Sequence, residues 1–168
     1  MRKSILNILI VFTIAIMVFA TAILGYFFVT RNDFSNKITI NANGTAEEVL
    51  EVTDLSLIPT ESKDYEIVLV SVLDGNFFVT LDYSLIEDGG LGEFVDVTIL
   101  VADEVCYEGK LNNLFETDSV ITLRMFFESN VSQTIVITYM MDASVGNEAK
   151  GTFSDFKIKL TVKRNVGE

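Results

Sequence analysis

The sequence has no histidine and no tryptophan, one cysteine and one proline. Without histidine the commonest general base and the commonest zinc ligand are missing, so neither a Ser-His-Asp triad nor a His-Glu-x-x-His metal helix can be built. Cys106 has no partner for an intramolecular disulfide and lies far from any lipid-attachment position near an export signal. Its neighbours Val105 and Tyr107 predict a small, partly buried hydrophobe rather than a nucleophile. With Pro59 as the only proline there is no Pro-rich stalk. No sortase-type Leu-Pro-x-Thr-Gly signal occurs, and the polar stretch Leu160 to Glu168 holds no second hydrophobic segment. Positive charge is scarce too. Beyond residue 31, nine Lys and Arg stand against all 24 Asp and Glu, a balance that repels phosphate backbones and anionic lipid and excludes nucleic acid as a partner.

What is present divides the chain in two. After Arg2 and Lys3 no charged side chain appears until Arg31. As a helix, the run from Ile5 to Val29 would be ~37 Å long, enough to cross a hydrocarbon core of ~30 Å. The positive-inside preference puts the N-terminus in the cytoplasm and the remainder outside. Two readings of this segment stay open. Ala20-Thr21-Ala22 matches an A-x-A cleavage site, with Ala20 and Ala22 as its small residues, behind an apolar core from Ile5 to Phe19. Apolarity also continues through Ile23, Leu24, Phe27, Phe28 and Val29, as a permanent anchor would require. The predicted organisation is residues 1–31 as signal peptide or anchor and residues 32–168 as one extracytoplasmic domain.

That domain alternates with period two almost throughout, which predicts an all-β, antiparallel β-sandwich of roughly seven to nine strands. From Phe153 to Lys163, the residues Phe156, Ile158, Leu160 and Val162 fall on one face and the lysines on the other. The same pattern gives strands near 76–86, 94–101, 120–127 and 133–141. Tyr65 to Leu73 is apolar on both faces after Ile67, as a central strand would be, and Asp74-Gly75 after it predicts a type I′ hairpin. Lys37 to Ala42, ending at Asn43-Gly44, reads as a short first strand. Thr45 to Val52, with Thr45 and Glu48 as a capping box, and Tyr107 to Phe115, with Tyr107, Leu111 and Leu114 at helical spacing, are expected to be helical turns. In the strand pair Phe77-Phe78, adjacent side chains point to opposite faces, so one ring leaves the main core and hints at an interface.

Acidic clusters are the only chemistry-bearing feature: Glu87 and Asp88 before Gly89-Gly90, Asp103 and Glu104, and Asp142 with Asn147 and Glu148. None matches the alternating 12-residue loop of a calcium site, so they read as solvated loop charge. No catalytic residue, metal or cofactor is predicted.

The stretch Ile137-Thr138-Tyr139-Met140-Met141-Asp142-Ala143-Ser144-Val145-Gly146-Asn147-Glu148-Ala149-Lys150, with Phe153 and the strand Phe156 to Val162, resembles the C-terminal part of the TasA and camelysin family. Leu57-Ile58-Pro59-Thr60-Glu61-Ser62 is similar to that family's Leu-x-Pro-Gly-Asp segment, with Thr60 where Gly is usual. Tyr107-Glu108-Gly109-Lys110-Leu111 is similar to its Tyr-x-Gly-x-Leu stretch, and Gly25-Tyr26-Phe27 to the Ala-Tyr-Phe ending its long export signals. The resemblance implies a jelly-roll-like or Ig-like sandwich, secretion through a dedicated signal peptidase, and a role in biofilm-matrix fibres or at the cell surface. The metallopeptidase label attached to camelysin-type members finds no ligand motif here.

The resulting expectation is an exported structural protein, free or anchored to the outer face of the membrane. It would self-associate, or join a sibling of its family, by strand addition. Lys37 to Ala42 is the expected donor strand, with Ile38 and Ile40 filling a neighbour's groove, and Ile38→Asp with Ile40→Asp is expected to leave a folded monomer. A camelysin-like peptidase and a monomeric adhesin or binding module are the alternatives.

Overall fold

The computed structural model describes residues 34–116 and 119–165. The expected N-terminal helix and the Ala20 and Ala22 cleavage site lie outside them. Among these residues nine strands form two sheets. They are β1 (Phe34–Ile40), β2 (Thr45–Leu55), β3 (Ser62–Ser71), β4 (Gly75–Asp88), β5 (Val95–Val101), β6 (Glu104–Lys110), β7 (Ile121–Phe127), β8 (Ser132–Met141) and β9 (Ser154–Arg164), with 3₁₀ turns at Leu111–Phe115 and Asn147–Ala149. One sheet has the order β1-β3-β8-β5-β6 and the other β2-β9-β4-β7. The layers meet over one apolar core. Period-two patterning is the cause: along β7 every odd residue from Ile121 to Phe127 is buried and every even one exposed. In β9, Phe156, Ile158, Leu160 and Val162 all face inward, as the sequence predicts.

The pairing is antiparallel with one exception. β1 lies parallel to β3, with Ile38 beside Leu69 and Ile40 beside Ser71. A parallel neighbour needs a crossover, and here β2 supplies it by lying in the opposite sheet. The link between β1 and β2 is tight. The Asn41 side-chain oxygen accepts hydrogen bonds from the backbone N–H groups of Asn43 and Thr45, at 2.9 and 3.1 Å. Gly44 follows at φ 73°, where a Cβ would stand 2.8 Å from that of Arg164, so both conformation and space call for glycine.

Four local expectations are overturned. Thr45 to Val52 belongs to strand β2 rather than to a helical turn. Ala46, Leu50 and Val52 alternate inward, while Glu51 and Glu47 on the outer face pair with Lys157 and Lys159 at 2.8 and 2.7 Å. Lys159 holds the Glu47 carboxyl below its ordinary range. Cross-strand pairing to β9 outweighs a local capping box. Second, Tyr107 to Lys110 is strand β6, and only Leu111 to Phe115 turns, burying Leu111 and Leu114. Third, Asp74-Gly75 makes no hairpin, because β3 and β4 lie in different sheets. Asp74 instead serves as an acceptor for Ser129 N–H at 2.6 Å and Arg164 Nη2 at 2.9 Å. The two-residue hairpin with positive φ at both positions is Ala102-Asp103, at 49° and 65°, joining β5 to β6. Fourth, Cys106 is exposed. The β5–β6 register shifts between Ile99, opposite Tyr107, and Leu100, opposite Val105, so Cys106 is the extra residue of a β-bulge.

Tyr65, Tyr83 and Tyr139 gather around Phe156. Tyr83 and Tyr139 stack against its ring from opposite sheets at 5.9 and 5.7 Å, and Tyr65 meets Tyr139 edge-on at 5.4 Å. The Tyr83 and Tyr139 hydroxyls are fully buried. Each feels the other's dipole, yet neither completes a hydrogen bond of ordinary geometry. Burial pushes both phenols above their ordinary value, because the phenolate cannot be solvated there.

Two predictions follow from these features. A raised folded value means that the neutral phenol is the form the fold favours, so stability holds below the unfolded tyrosine value of about 10 and is lost as pH rises through the folded values. Urea midpoints should therefore stay level to about pH 10 and fall above it, with the tyrosinate absorbance of these two rings appearing only on unfolding. Ordinary titration of both rings in the folded protein would contradict this placement. At the β5–β6 turn, Ala102→Asn with Asp103→Gly should raise unfolding stability by about 1 kcal/mol, since both positions have left-handed backbone that Asn and Gly adopt at lower cost. Urea unfolding measures it, and a loss of stability would show that the turn is of another type.

Candidate functional site

An open groove of about 480 Å³ lies at one end of the sandwich. Two segments form it: Leu57, Ile58 and Pro59 from the β2–β3 connection, and Val145 to Gly151 from the β8–β9 connection. These segments are 80 or more positions apart in the sequence, and each carries part of the family resemblance described above. Ile58 gives the groove an exposed apolar wall, with 69% of its surface open, while Leu57 and Ala149 are buried beneath. Lys150 is the one cation in the lining.

The first wall is pinned by its own polar groups. Ile58 N–H donates to Glu61 Oε2 and Glu61 N–H to the Ile58 carbonyl, both at 2.9 Å. Thr60 N–H and Met141 N–H then tie the turn to the end of β8, donating to the carbonyls of Met141 and Glu61 at 2.9 and 3.1 Å. Thr60 sits at φ 73°, a left-handed position costly for a β-branched residue. The second wall is capped locally. Asp142 Oδ1 accepts from Ser144 N–H at 2.7 Å and Glu148 Oε1 from Gly146 N–H at 3.0 Å. The Ser144 hydroxyl, then its N–H, hold the Asp142 carboxyl below its ordinary range, and the backbone N–H groups of Glu148 and then Gly146 do the same for the Glu148 carboxyl.

The acidic clusters are therefore turn caps in large part. Asp88 Oδ1 likewise accepts from Gly90 N–H at 2.7 Å. Among the described residues, no three Cys, Asp or Glu side chains come together as a metal site needs. Ile38 and Ile40 point into the core of their own sandwich, 7% and 0% exposed. Two Asp side chains there would place carboxylates in the apolar layer, so Ile38→Asp with Ile40→Asp should destabilise the domain itself. Of the pair Phe77-Phe78, Phe77 is buried and Phe78 lies on the outer face of its sheet under Arg124, whose guanidinium carbon is 5.6 Å from the ring centre. Sequence reasoning missed the groove wall at Ile58. Its signal was an apolar residue beside the only proline, in a connection too short to fold back on the core.

Thr60→Gly should relieve the strained turn and raise stability by about 1 kcal/mol. Thr60→Val, which keeps the branching and loses the hydroxyl, should not. Equal effects in urea unfolding would place the strain elsewhere.

No protein-family model and no curated protein matches the chain. Among solved structures, the pre-peptidase C-terminal domain of a collagenase from Bacillus anthracis is similar over 79% of this chain and 98% of that one, at 15% identity and a TM-score of 0.34. PliG of Aeromonas hydrophila, a periplasmic inhibitor of g-type lysozyme, is similar over 78% and 99%, at 7% identity and 0.36. The sugar-binding C-terminal domain of EclA is similar over 73% and 79%, at 17% identity and 0.24. At these identities and scores, none of them assigns a ligand or an activity to this chain.

Proposed function

We propose that this chain is an exported, jelly-roll-like surface protein of the TasA and camelysin type, a building block that assembles by exchange of its first strand. The strand orders support the jelly-roll reading, because β2 to β9 fill the sheets as β2-β9-β4-β7 and β3-β8-β5-β6, two interleaved Greek keys. The strained Thr60 supports the family reading, since it occupies a left-handed position where the family's glycine would be at ease.

The observation that carries assembly is the place of β1. Among the described residues it is an edge strand paired only with β3, joined to β2 by Asn41 to Gly44, and it buries Ile38 and Ile40 between the sheets. Removing it opens a slot for two isoleucines, worth about 3–6 kcal/mol of burial to whichever strand refills it. A second copy carries that strand. Exchange from copy to copy does not close on itself and propagates as a filament. The acidic remainder keeps such filaments apart in solution.

A covalent clamp tests this reading. Lys37 and Val68 are direct neighbours across the β1–β3 pair, so Lys37→Cys with Val68→Cys, in a Cys106→Ser background, can hold β1 in its own sandwich. Protein recovered from the cell surface should form fibres or oligomers under electron microscopy, and the oxidised clamp variant should stay monomeric until reduced. Wild-type protein that remains monomeric at high concentration would remove the assembly reading. A clamped variant that assembles like wild type would remove strand exchange.

A further inference from the structure

Three of the four sheet edges carry features that discourage pairing with another chain, and one does not. At β1, Lys37 projects from the outer face and Asn36 occupies an inward position. β2 carries Glu47, Glu48 and Glu51, with Glu48 at an inward position opposite Leu160, and its register shifts between Val52 and Leu55. β6 carries Glu104 and Glu108 and the bulge at Cys106. Charges, inward polar residues and bulges are the usual protections of an edge. β7 has neither an inward polar residue nor a bulge. It is seven residues long, alternates without a break, keeps full register with β4, and among the described residues is paired on that side only. Its single charge, Arg124, lies over the Phe78 ring.

We infer that the free edge of β7 is the seat of a two-fold antiparallel pairing between two copies of this chain. The occupant follows from self-complementarity. Only registers that match odd residues with odd residues keep the apolar face continuous across the join. Centring the two-fold on Arg124 sets that cation opposite itself and leaves Phe126 opposite Thr122. Centring it on Leu123 sets Arg124 opposite Thr122 of the other copy and Val120 opposite Phe126. Val120 and Phe126 are 48% and 56% exposed, and they flank the strand on its outer face. This register covers both, twice over. On the inner face Ile121 meets Met125 and Leu123 meets Leu123, so the two cores continue across the join. The product is an eight-stranded sheet with an isologous interface. It is a different surface from β1 and does not rest on strand exchange.

The test uses the full-length chain in mild detergent with Cys106→Ser. One preparation carries Val120→Cys and a second, differently tagged, carries Phe126→Cys. Under oxidation the mixture should yield a mixed disulfide at least several-fold above either preparation alone, because residue 120 faces residue 126 and neither faces itself. Adding Thr122→Glu to both should strengthen the pairing roughly two- to thirty-fold through two symmetric contacts with Arg124, and Thr122→Lys should weaken it by a similar factor. Equal cross-linking in all combinations, or none in any, overturns the pairing. So does insensitivity to both changes at Thr122. Cross-links that persist when the β1 clamp abolishes fibres leave this interface standing alone, whereas fibres without cross-links remove only this interface.

Discussion

Phe156 is touched by rings from both layers. Tyr83 reaches it within its own sheet, Tyr139 from the opposite sheet, and Phe115 from the 3₁₀ turn after β6. Two sheets packed face to face are held by their inner side chains alone, since backbone hydrogen bonds run within each sheet. This cluster therefore fixes the spacing of the layers and, through it, the position of the connections at the ends. The buried Tyr83 and Tyr139 hydroxyls are a cost carried inside it. Large rings span the gap, and their polar tips are enclosed with them.

From that seam outward the molecule is organised by its edges. A sandwich closes its faces but leaves four edge strands, and the sequence treats them unequally. Glutamates and a register shift mark β2, and a bulge with acidic neighbours marks β6. Lysines of β9 pair with glutamates of β2, so the most basic strand lies inside one sheet beside an acidic edge strand. In so acidic a domain, overall repulsion and local edge chemistry together decide which surfaces can meet.

The strand pattern was legible because alternation is a local property, written in five or six consecutive side chains. β4, β5, β7, β8 and β9 fall where Phe77, Val97, Leu123, Ile137 and Leu160 indicate. What failed depended on partners. Thr45 to Val52 carries a helix-start signal, and only its pairing with β9 makes it a strand. Asp74-Gly75 has hairpin chemistry, yet its flanking strands belong to different layers, and Ala102-Asp103 makes the tight turn without the residues such a turn favours. Cys106 looked enclosed because its neighbours are apolar, and the bulge that turns it outward exists only in the pairing with β5. The groove was half legible. Both its segments stood out in the sequence, and nothing local could show that they meet.

The position of β9 has a consequence for the order of events during synthesis. It lies between β2 and β4, so the middle of one sheet is made after the eight other described strands. Thr45 waits for Lys163, and until then β2 has no strand beside it and β4 pairs only with β7. Contacts so distant along the chain fold slowly. The other sheet can begin earlier, through β1 with β3 and β5 with β6. Until β9 emerges, a nascent chain therefore holds this layer open, and Phe156 to Val162 act as the latch that converts an extended, threadable polypeptide into a closed body.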